Sequence, residues 1–340
     1  MKKKKIFWAV FGVLLILCIG VTCIFIFKNN TRVKGIATSV LPTLASNKSN
    51  SGLYMVTHPK NSTLQIGNDK DIIEYRYRGK EPKNYVTFNN EIWRIIGVFP
   101  TDDGTGKIEN RIKLIRNETL NQTVWNGCSS YKAVYEDNYF LDVCDDPNGI
   151  KNNFNISMIK EYLNTTYYNT LINESKNMID NAKYYLGGYD GWVNEQGYTQ
   201  TSVQMYSYER KIQNTTSNEF YYGSNPNNWV GKLGLMYASD YGYASGNCEN
   251  KRIYDIKSSS NDIRACNDTN WLYINSNEWL LNQNSEDVSF AYSIDESGSV
   301  FSKDAPILIA LKYRPVLYLK SNVKIISGSG TINDMYILGM

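Results

Sequence analysis

Hydrophobic positions fall into three regimes along the chain. The first is an unbroken apolar run, "IFWAVFGVLLILCIGVTCIFIF", Ile6 to Phe27, 22 residues without a charge. At 1.5 Å per residue a helix of this length spans ~33 Å, which matches a hydrocarbon core of ~30 Å. The run stops at Lys28-Asn29-Asn30, and the nearest cluster of small residues, around Ala45, lies far downstream. That pattern predicts an uncleaved signal anchor rather than a cleaved leader. Lys2, Lys3, Lys4 and Lys5 place the amino terminus in the cytoplasm, although Lys28, Arg32 and Lys34 flank the other side.

Residues 28–65 form the second regime: Ser, Thr, Asn and Lys with little apolar periodicity, read as a stalk. The third occupies residues 66–340. "NYVTFNNEIWRIIGVF" predicts a hairpin, Val86 to Phe88 and Ile92 to Phe99, turning at Asn89-Asn90; "RIKLI" adds a third strand to a meander. Helical spacing follows in 157–188, where Ile159 and Leu163 are four apart and Leu171, Met178 and Ala182 share a stripe. Two short helices are expected there, breaking around Asn164–Thr166 and stopping at Gly187-Gly188. Beyond them come strands and loops, including a hairpin across Asp295–Gly298. The closing "KYRPVLYLKSNVKIISGSGT" reads as a β-ribbon, Val316 to Leu319 and Val323 to Ile326, hinged at Ser321-Asn322. The order β, then α, then a long β region is α+β. Within the ribbon, Arg314 is the one charge expected to be partly buried, against a carboxylate that sequence does not identify.

Charge changes the picture in one respect. Lys2 to Lys5 carry +4 of a net charge of +3, so the rest of the chain is −1. A near-neutral outer domain has no basic footprint for phosphate backbones, which argues against nucleic acid. Of six cysteines, Cys18 and Cys23 lie in the apolar run, leaving Cys128, Cys144, Cys248 and Cys266 outside. Four cysteines permit three pairings; locality favours Cys128–Cys144 and Cys248–Cys266 as disulfides, which suits an oxidising exterior. Closely spaced ligand pairs for zinc are missing.

Catalytic chemistry is sparse in the sequence. His58 is the only histidine, so multi-histidine metal sites are excluded, and "VTHPK" at the stalk edge gives it no evident partner. Among 33 acids no spacing singles out a glycosidase-like pair. Calcium is suggested only by "CDDPNG", where Asp145-Asp146-Pro147-Asn148 also reads as an ordinary turn, and by "CNDTNW", Cys266 to Trp271. The segment "NNWVGKLGLMYASDYGYA" concentrates Trp229, Tyr237, Asp240, Tyr241 and Tyr243; with Trp271 and Trp279 these are the candidate ligand-binding residues. Aromatic faces beside Asn and Asp stack on and hydrogen-bond sugars or peptides, but the same aromatics also serve as core.

"WRIIGVF", "YLNTTYYNTLIN", "GLMYASDYGYASGNC" and "YRPVLYLKSNVKIISGSGT" together resemble an uncharacterised domain family of cell-surface proteins from Firmicutes and their gut relatives. That family is similar to the C-type-lectin-like fold, shared with the formylglycine-generating enzymes. The resemblance implies Trp93-Arg94 on an early strand and Leu163-Asn164 at the end of a first helix. It also implies Asp240-Tyr241-Gly242 opening a loop before the second cysteine pair, and Arg314-Pro315 starting a late strand that closes the domain. The chain departs from the family where "EWLLNQNS" keeps Trp279 without the following Ser-Pro element, and at Asp334-Met335-Tyr336.

The expected organisation is therefore a cytoplasmic tail (1–5), a single transmembrane helix (6–27), a stalk (28–65) and an extracellular domain (66–340). That domain is expected to be mixed, mainly antiparallel β with two helices, and C-type-lectin-like. The expected role is a cell-surface binding module for a carbohydrate or protein. An extracellular enzyme acting on glycans through carboxylates, or a structural envelope component, stands as the alternative.

Overall fold

The computed structural model describes residues 35–126, 131–136, 139–144, 152–189, 200–212, 225–253, 262–285, 290–301 and 309–340. The anchor segment lies outside them, and among the described residues no helix is long and apolar enough to cross a membrane. In chain order the first strands are β1 (Gly35–Ile36), β2 (Gly52–His58), β3 (Ile72–Arg78), β4 (Tyr85–Phe88), β5 (Glu91–Asp102), β6 (Ile108–Arg116) and β7 (Leu120–Val124), with the one-turn helix α1 (Ala37–Val40) after β1. A separate hairpin, β8 (Tyr131–Glu136) and β9 (Tyr139–Cys144), follows. The helical stretch holds α2 (Met158–Tyr162), a π turn over Leu163–Tyr167, α3 (Tyr168–Thr170) and α4 (Asn173–Met178). Next come β10 (Ala182–Tyr185), α5 (Ser202–Glu209), β11 (Asn228–Gly231), β12 (Leu233–Gly234) and α6 (Ala238–Tyr243). The chain ends with β13 (Glu278–Gln283), β14 (Ala291–Ile294), β15 (Val300–Phe301), β16 (Ala310–Tyr313), β17 (Val316–Tyr318), β18 (Lys324–Ser327) and β19 (Tyr336–Gly339). The class is α+β, mostly sheet with a few short helices.

The predicted meander is present and central. Ile95, Ile96, Val98 and Phe99 of β5 are all buried, as a run apolar on both faces requires. Asn89 and Asn90 both hold φ at 57°, the left-handed pair that a two-residue hairpin turn needs. Ten described strands form one sheet, in the order β1-β18-β19-β4-β5-β6-β17-β12, with β3 also on β5 and β2 on β3. A register shift at Ile95/Gly97 lets β3 close onto β5. A Cβ on Gly97 would lie 2.0 Å from the Tyr75 carbonyl oxygen, so only glycine permits that approach. The second sheet, β15-β14-β13-β16-β7, joins the same core through Trp125 and Trp279, whose rings meet edge-on at 5.6 Å.

Three expectations need correction. Residues 35–58, read as stalk, form β1, α1 and β2; all seven residues of β2 pair with β3, and Leu53 and Tyr54 are buried. Polar spacing concealed a strand whose polar side chains find partners inside. The carboxyl-terminal strands exist, but not as a ribbon: β17 lies between β6 and β12, whereas β18 pairs with β1 and β19. The segment still closes the sheet, with Val316, Leu317 and Leu319 completely buried. The helical stretch breaks at Leu171-Ile172, where both residues are extended, and Ala182 belongs to β10. The π turn keeps the chain helical through Asn164, which donates to both the Lys160 and Leu233 carbonyls.

The interior also holds charge. Glu74 and Arg76 of β3, Lys113 of β6, Glu209 and Arg210 at the end of α5, and Asp240 of α6 are all at most 4% exposed. Arg76 donates to Glu74 at 2.8 Å through Nε and to Asp240 at 3.0 Å through Nη1, and the Lys113 ammonium donates to Asp240. Arg210 donates to Glu209 at 2.6 Å, and Glu209 also accepts from the Ser239 backbone and hydroxyl and from Asn282. Three carboxylates thus face three cations. His58, expected to have no role, stacks on Tyr206 at 3.4 Å and lies 3.1 Å from Glu74, to which a neutral imidazole donates its Nε2 hydrogen.

This cluster sets a pH dependence. Burial pulls His58 below its ordinary pKa despite Glu74. Burial pushes Glu74 up, but Arg76 and His58 outweigh it and hold the carboxyl well below its usual range. Below about pH 6.5 the unfolded histidine takes a proton that the folded one refuses, so its contribution, complete above that pH, is lost as pH falls. Glu74 adds a loss of the same sign below about pH 4.5. Glu209, pushed up by burial, acts in the opposite direction. Because His58 is the only histidine, comparison with His58→Gln isolates its limb. Urea melts at pH 7.5 and 5.5 should show the parent losing up to about 1.4 kcal/mol per pH unit more than the variant; parallel profiles would contradict a buried neutral His58.

Candidate functional site

Most of the aromatic residues proposed from sequence are core. Tyr237, Tyr241, Tyr243, Trp279 and Asp240 are at most 3% exposed, with no surface to offer a ligand. The reason is local. "YASDYGY" forms α6 rather than a loop: Asp240 accepts from the Tyr237 backbone N–H at 3.0 Å, and Gly242 packs where a Cβ would fall 1.5 Å from the Ser202 hydroxyl of α5. Tyr237 accepts from the Tyr185 backbone N–H, Tyr241 donates to the Gly298 carbonyl, and Trp279 donates to the Thr123 carbonyl. Trp229 is half-buried and stacks on Tyr184 at 5.4 Å.

Trp271 has a different place. It edges an open cleft of about 580 Å³ that lies between the large sheet and the segment leading into β13. Its lining brings Tyr85 of β4, Arg94 of β5 and the preceding loop with Lys80 and Glu81 together with Asn267, Asp268, Asn270, Trp271, Tyr273, Ile274, Asn275 and Ser276. Asn117, Glu118, Thr119, Lys312 and Arg314 complete the lining. The "CNDTNW" run therefore belongs to this cleft. Among the described residues no group of three or more His, Cys, Asp and Glu is placed to hold a metal ion; the Asp145–Asn148 turn lies outside those residues.

The cleft wall is held in place by hydrogen bonds to buried structure. Trp271 donates its indole N–H to the Tyr77 carbonyl at 2.8 Å, and Asn270 donates to the Tyr241 carbonyl at 2.9 Å. Arg314 is 2% exposed and meets both oxygens of Glu278, at 2.7 and 2.9 Å, while donating to the Leu272 carbonyl at 2.7 Å. Glu278 is thus the carboxylate that the sequence did not reveal. Cys248 and Cys266 form a disulfide with a Cα separation of 6.5 Å, ahead of the cleft segment. Cys128 lies outside the described residues, and with it the expected Cys128–Cys144 pairing.

At the cleft's inner end Arg94 is 5% exposed, and its guanidinium lies between the Tyr85 ring at 4.1 Å and the Trp271 ring at 4.5 Å. Its Nε donates to Asn84 at 2.9 Å. Among the described residues Nη2 has no hydrogen-bond partner, and the nearest carboxylate oxygen, on Glu81, is 3.9 Å away. Burial lowers the Arg94 pKa to about 10. Sequence reasoning placed Arg94 on a strand but not in a site. The available signal was an arginine inside an apolar run beside Trp93, where a charge has to find a purpose. Compared with protein-family models, curated proteins and solved structures, the chain gives no match.

The disulfide tethers the cleft wall at a sequence separation of 18. Replacing Cys248 and Cys266 together with Ser should cost about 3 kcal/mol in thermal or denaturant melts. It should also speed amide exchange over residues 267–276 more than in β5. An unchanged midpoint with unchanged exchange would show that the bridge is dispensable.

Proposed function

We propose that the chain is a membrane-anchored cell-surface binding module, C-type-lectin-like in character, that takes a carbohydrate in the cleft between Tyr85, Arg94 and Trp271. The observation that carries this reading is the lining itself. The half-buried Tyr273 ring stands in the same lining as Asn117, Asn267 and Asn275, whose amides can both donate to and accept from hydroxyl groups. The anchor reading rests on the 22-residue apolar run, and the Cys248–Cys266 disulfide suits an oxidising exterior. A binding role is favoured over hydrolysis because Glu81 is two-thirds exposed and accepts from the Tyr85 hydroxyl at 3.0 Å. Glycosidase general acids sit in apolar, buried pockets, and the other carboxylates of the cleft, Glu118 and Asp268, are exposed as well.

The test is an oligosaccharide array probed with the full-length protein in mild detergent, with and without calcium. A defined set of glycans should be retained in both conditions. The double variant Asn117→Ala/Lys312→Ala should weaken that retention roughly tenfold, as expected for losing two hydrogen-bonding side chains, without shifting the melting temperature. Retention of no glycan, or retention indifferent to these substitutions, would overturn the reading.

A further inference from the structure

We infer that the sugar taken by the cleft carries a carboxylate group and that Arg94 is the residue that binds it; this deepens, and rests on, the glycan-binding reading above. The argument starts from what Arg94 lacks. Arg76, Arg210 and Arg314 are as deeply buried, and each has a carboxylate oxygen within 3.0 Å; buried Arg111 meets Asp180 at 3.1 Å, and Arg78, without a carboxylate, gives Nε and Nη2 to the Ser49 carbonyl. Among the described residues Arg94 has only the Asn84 amide oxygen on Nε, and Glu81 stands too far from Nη2 for a hydrogen bond. A guanidinium removed from water with unmatched donors is costly unless an acceptor arrives.

Its orientation is fixed before any ligand comes. Asn84 is completely buried, and its own amide donates to the Ile95 carbonyl at 2.9 Å, which sets its oxygen toward Arg94. Tyr85 and Trp271 hold the guanidinium plane from two sides, and Trp271 is itself tied to the Tyr77 carbonyl. A planar fork held rigidly matches a planar carboxylate, which accepts two parallel N–H bonds. Charge around the cleft points to a single negative group. With Arg314 matched by Glu278, Lys80, Arg94 and Lys312 face Glu81, Glu118 and Asp268, three against three. A doubly charged phosphate would leave an excess of negative charge, whereas one carboxylate is balanced when Glu81, already largely in solvent, turns away.

The experiment measures affinity of the full-length protein by Trp fluorescence titration and calorimetry. The probes are an oligogalacturonate, its methyl ester, a neutral galactose oligomer of equal length, a sialylated oligosaccharide and a sulfated galactan; a Glu-rich peptide is the non-sugar control. The acid should bind at least about tenfold tighter than its ester, the loss expected when a charge-assisted bidentate contact is removed. Whether the uronate or the sialylated probe binds better identifies the source of the carboxylate. Arg94→Lys and Arg94→Gln should abolish the acid-to-ester ratio. Glu81→Gln, at a two-thirds exposed position, should tighten acid binding several-fold and raise the acid-to-ester ratio. If acid and ester bind alike in the parent, the inference falls while glycan binding stands. If the sulfated galactan or the Glu-rich peptide binds as well as the acids, the carboxylate-sugar assignment is overturned. If no sugar binds, both readings fall together.

Discussion

The structure depends on a buried carboxylate, Asp240, answered by two cations from two different strands. Arg76 reaches it from β3 and Lys113 from β6, while its third contact, to the Tyr237 backbone, starts α6. Burial opposes the charge on Asp240, but Lys113 and Arg76 prevail and keep its pKa below the usual carboxylate range; burial pulls Lys113 below the ordinary amine. Such charges are expensive to bury singly and tolerable only together. They also specify geometry. An apolar α6 could slide on the sheet, but one whose carboxylate must meet both Arg76 and Lys113 has one position. Phe99 and Tyr243 close over the Arg76 guanidinium at 4.7 and 4.6 Å and keep the site dry.

A second paired charge does the same work for the cleft. Arg314 begins the approach to β17 and Glu278 opens β13, so their bidentate contact ties the second sheet to the strand that closes the first. Through the Leu272 carbonyl the same arginine holds the segment carrying Trp271. Beside this frame of matched charges, Arg94 has no carboxylate at hydrogen-bonding distance among the described residues and leaves Nη2 unbonded, whereas Arg78, which also lacks a carboxylate, gives Nε and Nη2 to the Ser49 carbonyl.

The sequence made some of this legible and concealed the rest for physical reasons. The central meander could be read because β5 is apolar on both faces and Asn89-Asn90 accept positive φ. The buried state of Arg314 could be read because it interrupts an apolar segment, but its partner is 36 residues away and no local rule finds it. β2 was mistaken for stalk because His58 and its neighbours look solvent-seeking; only the fold reveals Glu74 and Tyr206 waiting for the imidazole. The aromatics of "YASDYGY" were offered as ligand contacts because composition does not distinguish a paratope from a core. The cleft itself joins residues from 80 to 314, and only "CNDTNW" marked part of it in advance.

The claim that the fold is organised by mutually dependent buried charges is tested most directly by a double-mutant cycle on Lys113 and Asp240. The stabilities of Lys113→Met, Asp240→Asn and the pair would be measured by denaturant unfolding. Each single change should cost about 3–5 kcal/mol, because it strands the remaining charge away from water. The double variant should cost less than the sum of the two by at least about 1 kcal/mol. Costs that simply add would show that the two groups act independently, and that the charged interior does not determine how α6 meets the sheet.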